Sequence, residues 1–192
     1  KIMEVKPDVC FIDLHGTYGE DGRIQGMLDI MGIPYTGSDY QSNLIAFDKL
    51  LSKEQFVKYN VPTPDYFALD SYTIGMPFAK SVVKPSRQGS SVGIHVVSSE
   101  AEYREKLEDA FRYDTKVVVE ECINGQELTV GVIGNDPLPI IWIRPKKGVY
   151  DYESKYTVGM TEYVFDTGLS KAEYERVHYT AMRAYEALEC SG

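Results

Sequence analysis

Cysteine is scarce in this chain. Its three residues, Cys10, Cys122 and Cys190, are odd in number, far apart and without a Cys-x-x-Cys pair. That composition excludes a disulfide framework, gives no zinc-ligand spacing, and fits a reducing cytoplasm. Long apolar runs are missing too. None approaches the roughly 20 residues a membrane helix needs, and no signal-peptide pattern is visible, so no membrane partner is expected. Positive charge is in deficit, with 20 Lys and Arg against 29 Asp and Glu and a net charge of −9. This balance argues against nucleic acid or an anionic membrane as partner, while leaving room for a local basic site that binds phosphate. Internal repeats and low-complexity segments are also absent. What is present is ordinary for a globular α/β protein. The hydrophobic fraction is 43% in 192 residues, enough for one large domain or two small ones.

The most informative stretch runs from Val83 to Gly93. Ser81 to Val83 is a short apolar run that ends at Lys84, and Pro85 follows. Small and polar residues come next, Ser86-Arg87-Gln88-Gly89-Ser90-Ser91, and Gly93 leads into the β-branched run Ile94 to Val97. The pattern predicts strand, flexible loop, strand. Glycines and serines let backbone N–H groups and hydroxyls surround an anion, and Lys84 and Arg87 bring positive charge to the same place. The chemistry indicated is phosphate binding. It is not a Walker A loop, because no Gly-Lys-Ser/Thr follows and the next element reads as a strand. Taken alone, the window reads equally well as a solvated hairpin loop.

Upstream, Pro7 to Leu14 reads as a buried strand, followed by the loop His15-Gly16-Thr17-Tyr18-Gly19-Glu20-Asp21-Gly22. A helix is predicted at about Arg23 to Met31, with Ile24, Met27, Leu28 and Met31 on one face and Gly32 and Pro34 closing it. Loops at the carboxyl ends of strands carry function in α/β units, which makes His15 and Glu20 candidates. Asp21 reads as a helix cap. Ser38 to Asn60 reads as one helix with Lys49 on a solvated face, and the main domain boundary falls near Lys49. Asp65 to Leu69 reads as an edge strand after Pro62 and Pro64.

Further on, Ser99 and Glu102 form a capping box for a helix to about Arg112, with Tyr103, Leu107, Ala110 and Phe111 inward. Lys116 to Glu121 reads as a strand, then a turn through Cys122, Ile123 and Gly125, then strands over Leu128–Ile133 and Leu138–Ile143. A strand followed by an extended connector offers free backbone groups suited to an adenine ring, and Glu127 could accept from ribose hydroxyls. A plain hairpin carrying the surface acids Glu120, Glu121 and Glu127 is the other reading. Arg144 to Gly159 has no clean period and carries tyrosines, so it reads as a long ordered loop. Thr161–Phe165 is a strand, and Ser170 with Glu173 caps a helix to about Leu188, with Val177, Ala181, Ala184 and Leu188 on one face. His95 and His178 are assigned no role.

Six windows stand in a telling order: His15 to Gly22, Gly32 to Ser38, Asp48-Lys49, Lys84 to Gly93, Glu120 to Val130, and Tyr150-Asp151-Tyr152-Glu153-Ser154-Lys155-Tyr156. In that order and spacing the chain resembles the D-alanine–D-alanine ligases, a family of the ATP-grasp fold, over essentially its whole length. The resemblance implies an α/β (α+β) ATP-grasp fold, incomplete, with a remnant of an amino-terminal α/β domain. The domains expected are residues 1–48 as that remnant, 49–126 as the central subdomain and 127–192 as a truncated carboxyl-terminal subdomain, with a lid loop at about 146–159.

The resemblance also implies a reaction, in which ATP phosphorylates one D-alanine and the amine of a second attacks the acyl phosphate, for peptidoglycan precursors. Lys49 and Lys84 would hold ATP phosphates, and Ser90 and Ser91 would donate to the γ-phosphate. Glu120 with the backbone at Cys122 and Ile123 would meet adenine, and Glu127 the ribose. His15 and Glu20 would lie near the first D-alanine. Lys155 would face the phosphates, and Tyr156 would bond to Ser90 when the lid closes. Gln88 stands where the family has glutamate. The family's opening glycine- and serine-containing loop is not found. Nor are its closing Arg-x-Asp and Asn-Glu-Val-Asn segments, which supply the Mg²⁺ carboxylates. The chain is therefore expected to be a fragment, inactive alone, of a homodimeric cytoplasmic parent. No residue of the chain is assigned to a metal. D-serine or D-lactate as second substrate is the sibling reading, and an ATP-binding module without turnover is the reading from another class.

Overall fold

The computed structural model describes residues 2–72, 74–146 and 152–191. Helices are α1 (Ile2–Val5), α2 (Arg23–Met31), α3 (Tyr40–Phe47), α4 (Lys49–Lys58), α5 (Glu100–Phe111), α6 (Tyr152–Tyr156) and α7 (Lys171–Ala187). Strands are β1 (Tyr66–Leu69), β2 (Ser81–Pro85), β3 (His95–Val97), β4 (Val117–Glu121), β5 (Glu127–Thr129), β6 (Val132–Ile133), β7 (Asp136–Pro137), β8 (Ile141–Pro145) and β9 (Thr161–Val164).

The centre is a four-stranded antiparallel sheet in the order β1-β4-β2-β3, backed on one face by α5. Helical spacing puts Tyr103, Leu107 and Ala110 on that face, against Leu69, Val83, Val97, Val117 and Val119. Burying each of these larger side chains is worth about 1.5–3 kcal/mol. Ser99 starts the helix by accepting from Glu102 N at 3.3 Å. The reciprocal half of the expected capping box is displaced by one residue, because Glu102 accepts from Ser98 N at 3.0 Å.

Strand register sets the chemistry of the opposite face. Val83 pairs with Val119 and faces the core, whereas Lys84 pairs with Val118 and Val82 with Glu120. Side chains alternate along a strand, so Lys84 and Glu120 become diagonal neighbours away from α5. Tyr66 of β1 lies directly opposite Glu120 and joins them. A second sheet, β5-β8-β9, and the small β6-β7 pair complete the strands described. Helix α7 carries a full capping box from Ser170 and Glu173.

Three expectations are corrected. Pro7 to Leu14 is not a buried strand. Only Cys10 bridges, to Tyr35, and Val9, Phe11 and Leu14 are exposed, because no strand is described beside this segment to extend the ladder. The single helix over Ser38–Asn60 is two helices broken at Asp48, whose backbone is extended (φ −87°, ψ 109°). Asp48 ends α3 and caps α4, its carboxylate accepting from Leu50 N at 3.0 Å and Leu51 N at 3.4 Å. The long loop expected over Arg144–Gly159 begins inside β8 and contains α6; its residues 147–151 lie outside the described residues. In addition, the strand expected over Leu128–Ile133 divides into β5 and β6.

Near one end of the chain, Ser38, Gln41 and Ser42 meet the segment after α7. Ser42 Oγ donates to the Glu189 carbonyl at 2.5 Å, and Ser38 Oγ donates to Ser191 O at 2.8 Å while accepting from Ser191 N at 2.9 Å.

Candidate functional site

Three lysines gather around one carboxylate. Glu120 is 9% exposed at its side chain; Lys84 donates to its Oε2 at 2.5 Å, and Lys53 lies 3.3 Å from its Oε1. Lys49, one turn before Lys53 on α4, donates to the Gln88 carbonyl at 2.6 Å. Burial, and then the charge of Lys84, lower the Lys49 ammonium to about 8, against an opposing pull from Glu120. The solvated-face expectation for Lys49 is therefore wrong. The break at Asp48 turns the start of α4 toward the loop after β2, and Lys49 follows.

That loop is bound tightly to α4. Ser86 is fully buried and its hydroxyl donates to Asp48 Oδ1 at 2.5 Å. Its carbonyl receives Lys49 N at 3.0 Å. Beyond it, Ser90 and Ser91 both adopt left-handed backbone (φ 53° and 60°), a costly conformation for residues with a Cβ and one concentrated at functional loops. Gly93 is left-handed as well, and a Cβ there would meet Pro85 Cγ and Tyr113 Cδ2 at 2.8 Å, so glycine is required. The Ser90 hydroxyl and the Tyr156 hydroxyl are 2.6 Å apart, although 66 residues separate them in sequence. This contact brings α6 over the serine loop and carries half-buried Lys155 with it.

Glu127 opens β5. Partial burial raises its carboxyl, opposed first by Lys155 and then by Lys84, which places those two lysines within its electrostatic reach. Cys122 follows β4 directly, with its N–H donating to the Lys80 carbonyl at 3.0 Å, and Ile123 is exposed beside it. Glu20 reaches the loop from the amino-terminal side. Its carboxylate accepts from Gly16 N at 2.6 Å and lies 3.7 Å from where a Cβ on Gly89 would stand.

Two residues are not brought in. The His15 side chain is 83% exposed, and its charged neighbour is Asp13 at 4.0 Å. Arg87, expected to add charge to the loop, instead binds Asp114 through its Nη2 at 2.5 Å and Nε at 3.1 Å. A cleft of about 550 Å³, lined by residues including Thr17, Asp21, Leu44, Phe47, Arg87 and Tyr113, includes none of the three clustered lysines.

Lys53, Ser86 and Tyr66 are the residues that sequence reasoning missed. A usable signal existed for Lys53, since Lys49 and Lys53 are four apart and share one helix face.

Among the described residues, no group of three or more His, Cys, Asp or Glu side chains is placed to bind a metal ion. Among the same residues, no helix is long and apolar enough to cross a membrane.

Comparison with known proteins gives one consistent answer. The family model described as "D-ala D-ala ligase C-terminus" matches residues 61–192, and "D-ala D-ala ligase N-terminus" matches residues 2–38. A D-alanine–D-alanine ligase of Syntrophotalea carbinolica is 43% identical over 188 residues, covering 96% of this chain and 62% of that protein. The crystal structure of a Bacillus anthracis D-alanine–D-alanine ligase complexed with ATP superposes with a TM-score of 0.84 at 32% identity, over 99% of this chain and 63% of that one. VanG, a D-Ala:D-Ser ligase of Enterococcus faecalis, gives a TM-score of 0.80 at 30% identity, over 96% and 57%. The chain thus spans about six-tenths of the length of the curated relatives it matches.

Proposed function

This chain belongs to the D-alanine–D-alanine ligase family, of ATP-grasp fold, and we propose that it carries the family's reaction. ATP transfers its γ-phosphoryl group to the carboxylate of one D-alanine, giving ADP and an acyl phosphate. The amine of a second D-alanine attacks that carbonyl, expels phosphate and loses a proton, leaving D-alanyl-D-alanine for the cell wall.

The observation that carries this reading is the convergence of Lys49, Lys84, the Ser90–Ser91 loop and Tyr156. Phosphoryl transfer needs positive charge and hydrogen-bond donors gathered where phosphate charge is held, with water excluded. In the proposal Lys49 and Lys84 take the phosphates, Ser90 and Ser91 donate to the γ-phosphate, and Lys155 faces it from α6. Glu120 with the Cys122–Ile123 backbone holds adenine, and Glu127 holds the ribose. Glu20, beside Gly89, supports the first D-alanine. His15 would join it only after moving from its present exposed position. The chain divides into residues 1–48, 49–126 and 127–192, with a lid at about 146–159. The ligase would work in the cytoplasm as a homodimer with Mg²⁺-bound ATP.

Two measurements, made on the 192-residue chain and on the full product of its gene, test this. Calorimetry should show ATP binding. Phosphate release should then be followed with D-alanine, D-serine and D-lactate as second substrates. Highest turnover with D-alanine supports the reading, whereas highest turnover with D-serine transfers it to the VanG type of acceptor. Release by the full gene product but not by the 192 residues matches the expectation that they are inactive alone, ATP binding without release in either form leaves a nucleotide-binding module, and failure to bind ATP overturns the proposal.

A further inference from the structure

We propose that Lys53 is a positioning residue of the nucleotide site, fixing Glu120 as an anion so that its second oxygen can select an amino group on the base. The inference rests on the nucleotide reading above.

Glu120 has two lysine partners of opposite character. The Lys53 side chain is 5% exposed, and its ammonium has three hydrogens and three acceptors. Thr63 Oγ1 lies at 2.7 Å, the Pro64 carbonyl at 2.9 Å and Glu120 Oε1 at 3.3 Å, with the Tyr66 ring centroid at 4.7 Å beneath. Every donor is used and the group is walled in, so Lys53 has nowhere else to go. Lys84 is more open, at 23% exposed, and holds Glu120 Oε2 at the edge of the phosphate loop.

Phosphate competes for Lys84 and not for Lys53. When Lys84 turns to phosphate, a buried carboxylate with no other cation would be left unpaired and would move. Lys53 prevents this. Glu120 then keeps Oε1 in place and presents a free, charged Oε2 next to the connector that begins at Cys122. A charged carboxylate there accepts from an exocyclic amine and repels a carbonyl. The base edge favoured is adenine, and the edge disfavoured is hypoxanthine. Without Lys53, the Glu120 carboxylate is no longer held with Oε2 toward the base, and the distinction collapses.

The test is the ratio of the Kd for ITP to that for ATP, measured by calorimetry on the 192-residue chain. Wild type should prefer ATP. In Lys53→Met (K53M) the ratio should fall roughly tenfold, the size expected for losing one charge-assisted hydrogen bond. Lys53→Arg (K53R), which keeps the charge, should restore part of it. A purely structural lysine would weaken ATP and ITP together and leave the ratio unchanged; that result in folded K53M overturns the inference. If K53M does not fold, Thr63→Val (T63V) loosens Lys53 without burying a bare charge, and it should lower the ratio about two- to threefold. An unchanged ratio in folded T63V would then be the overturning result. Wild type that binds neither nucleotide removes the nucleotide reading itself, and wild type that binds both equally removes only the base-selection role of Glu120 and Lys53.

Discussion

The Ser86 hydroxyl donates to Asp48 Oδ1 at 2.5 Å while accepting from Leu50 N at 3.2 Å. One buried side chain thereby ties the loop after β2 to the first turn of α4. The position of Lys49 depends on this tie, because the same carboxylate caps the helix that carries it. Replacing Ser86 with alanine should cost about 1–3 kcal/mol, the usual consequence of leaving buried polar groups unpaired. Urea unfolding measures it. A change within about 0.5 kcal/mol, the range of ordinary surface substitutions, would show that the tie has no stabilising weight.

Tyr156 and Ser90 should act as one unit. Tyr156 is exposed, so Tyr156→Phe should leave the unfolding midpoint nearly unchanged. Phosphate release should nevertheless fall roughly tenfold, as expected if about 1.4 kcal/mol of loop closure is lost. Ser90→Ala should give a similar loss, and the double variant little more than either alone. Fully additive losses would mean that the 2.6 Å contact does not operate during turnover.

Lys49 makes nucleotide binding depend on pH. Its ammonium is lowered to about 8 by burial and then by Lys84. A bound phosphate favours the charged form, so binding near pH 8 to 9 should take up protons. Calorimetry in buffers of different ionisation enthalpy reads that uptake, and Lys49→Met should abolish it. The stability effect has the opposite direction. Between about pH 8 and the ordinary lysine value of about 10.4, the unfolded chain holds more protons on this group than the folded one. The contribution of Lys49 to stability therefore rises with pH across that window.

Asp114 accepts from Arg87 Nε and Nη2 and from the Arg87 and Lys116 backbone N–H groups. Burial alone would raise its carboxyl, but the Arg87 and Lys116 hydrogen bonds and the Arg87 charge outweigh it and leave it below the usual value. Its stabilisation is complete above the ordinary carboxylate range and is lost as pH falls through the lowered folded value. Asp114→Ala should cost about 1.5–3 kcal/mol at neutral pH, as loss of hydrogen bonds to a charged group does, and acid-induced unfolding should become correspondingly less steep. Equal acid profiles for the two proteins would contradict this.

Much of the sheet could be read from sequence because local signals agreed with the tertiary outcome. Val117-Val118-Val119 is a strand by propensity and by burial, and Ser170 with Glu173 marks a helix start without outside help. The break at Asp48 was hidden because Ser86, whose hydroxyl bonds the Asp48 carboxylate, stands 38 residues away. Lys53 was hidden because a lysine on a helix reads as solvated, and its burial depends on Thr63, Pro64, Tyr66 and Glu120 arriving together. Pro7 to Leu14 failed in the other direction. Its apolar pattern is that of a strand, but a pattern alone supplies no neighbour to pair with.

The bonds joining Ser38 and Ser42 to Glu189 and Ser191 close loops of about 150 residues. Closing so long a loop carries an entropic cost that local contacts in α5 and its sheet do not. This clasp is therefore expected to form late in assembly, after the transition state. Weakening it with Ser42→Ala should quicken unfolding while leaving the folding rate almost unchanged. The clasp thus governs how long the native state lasts rather than how quickly it is reached.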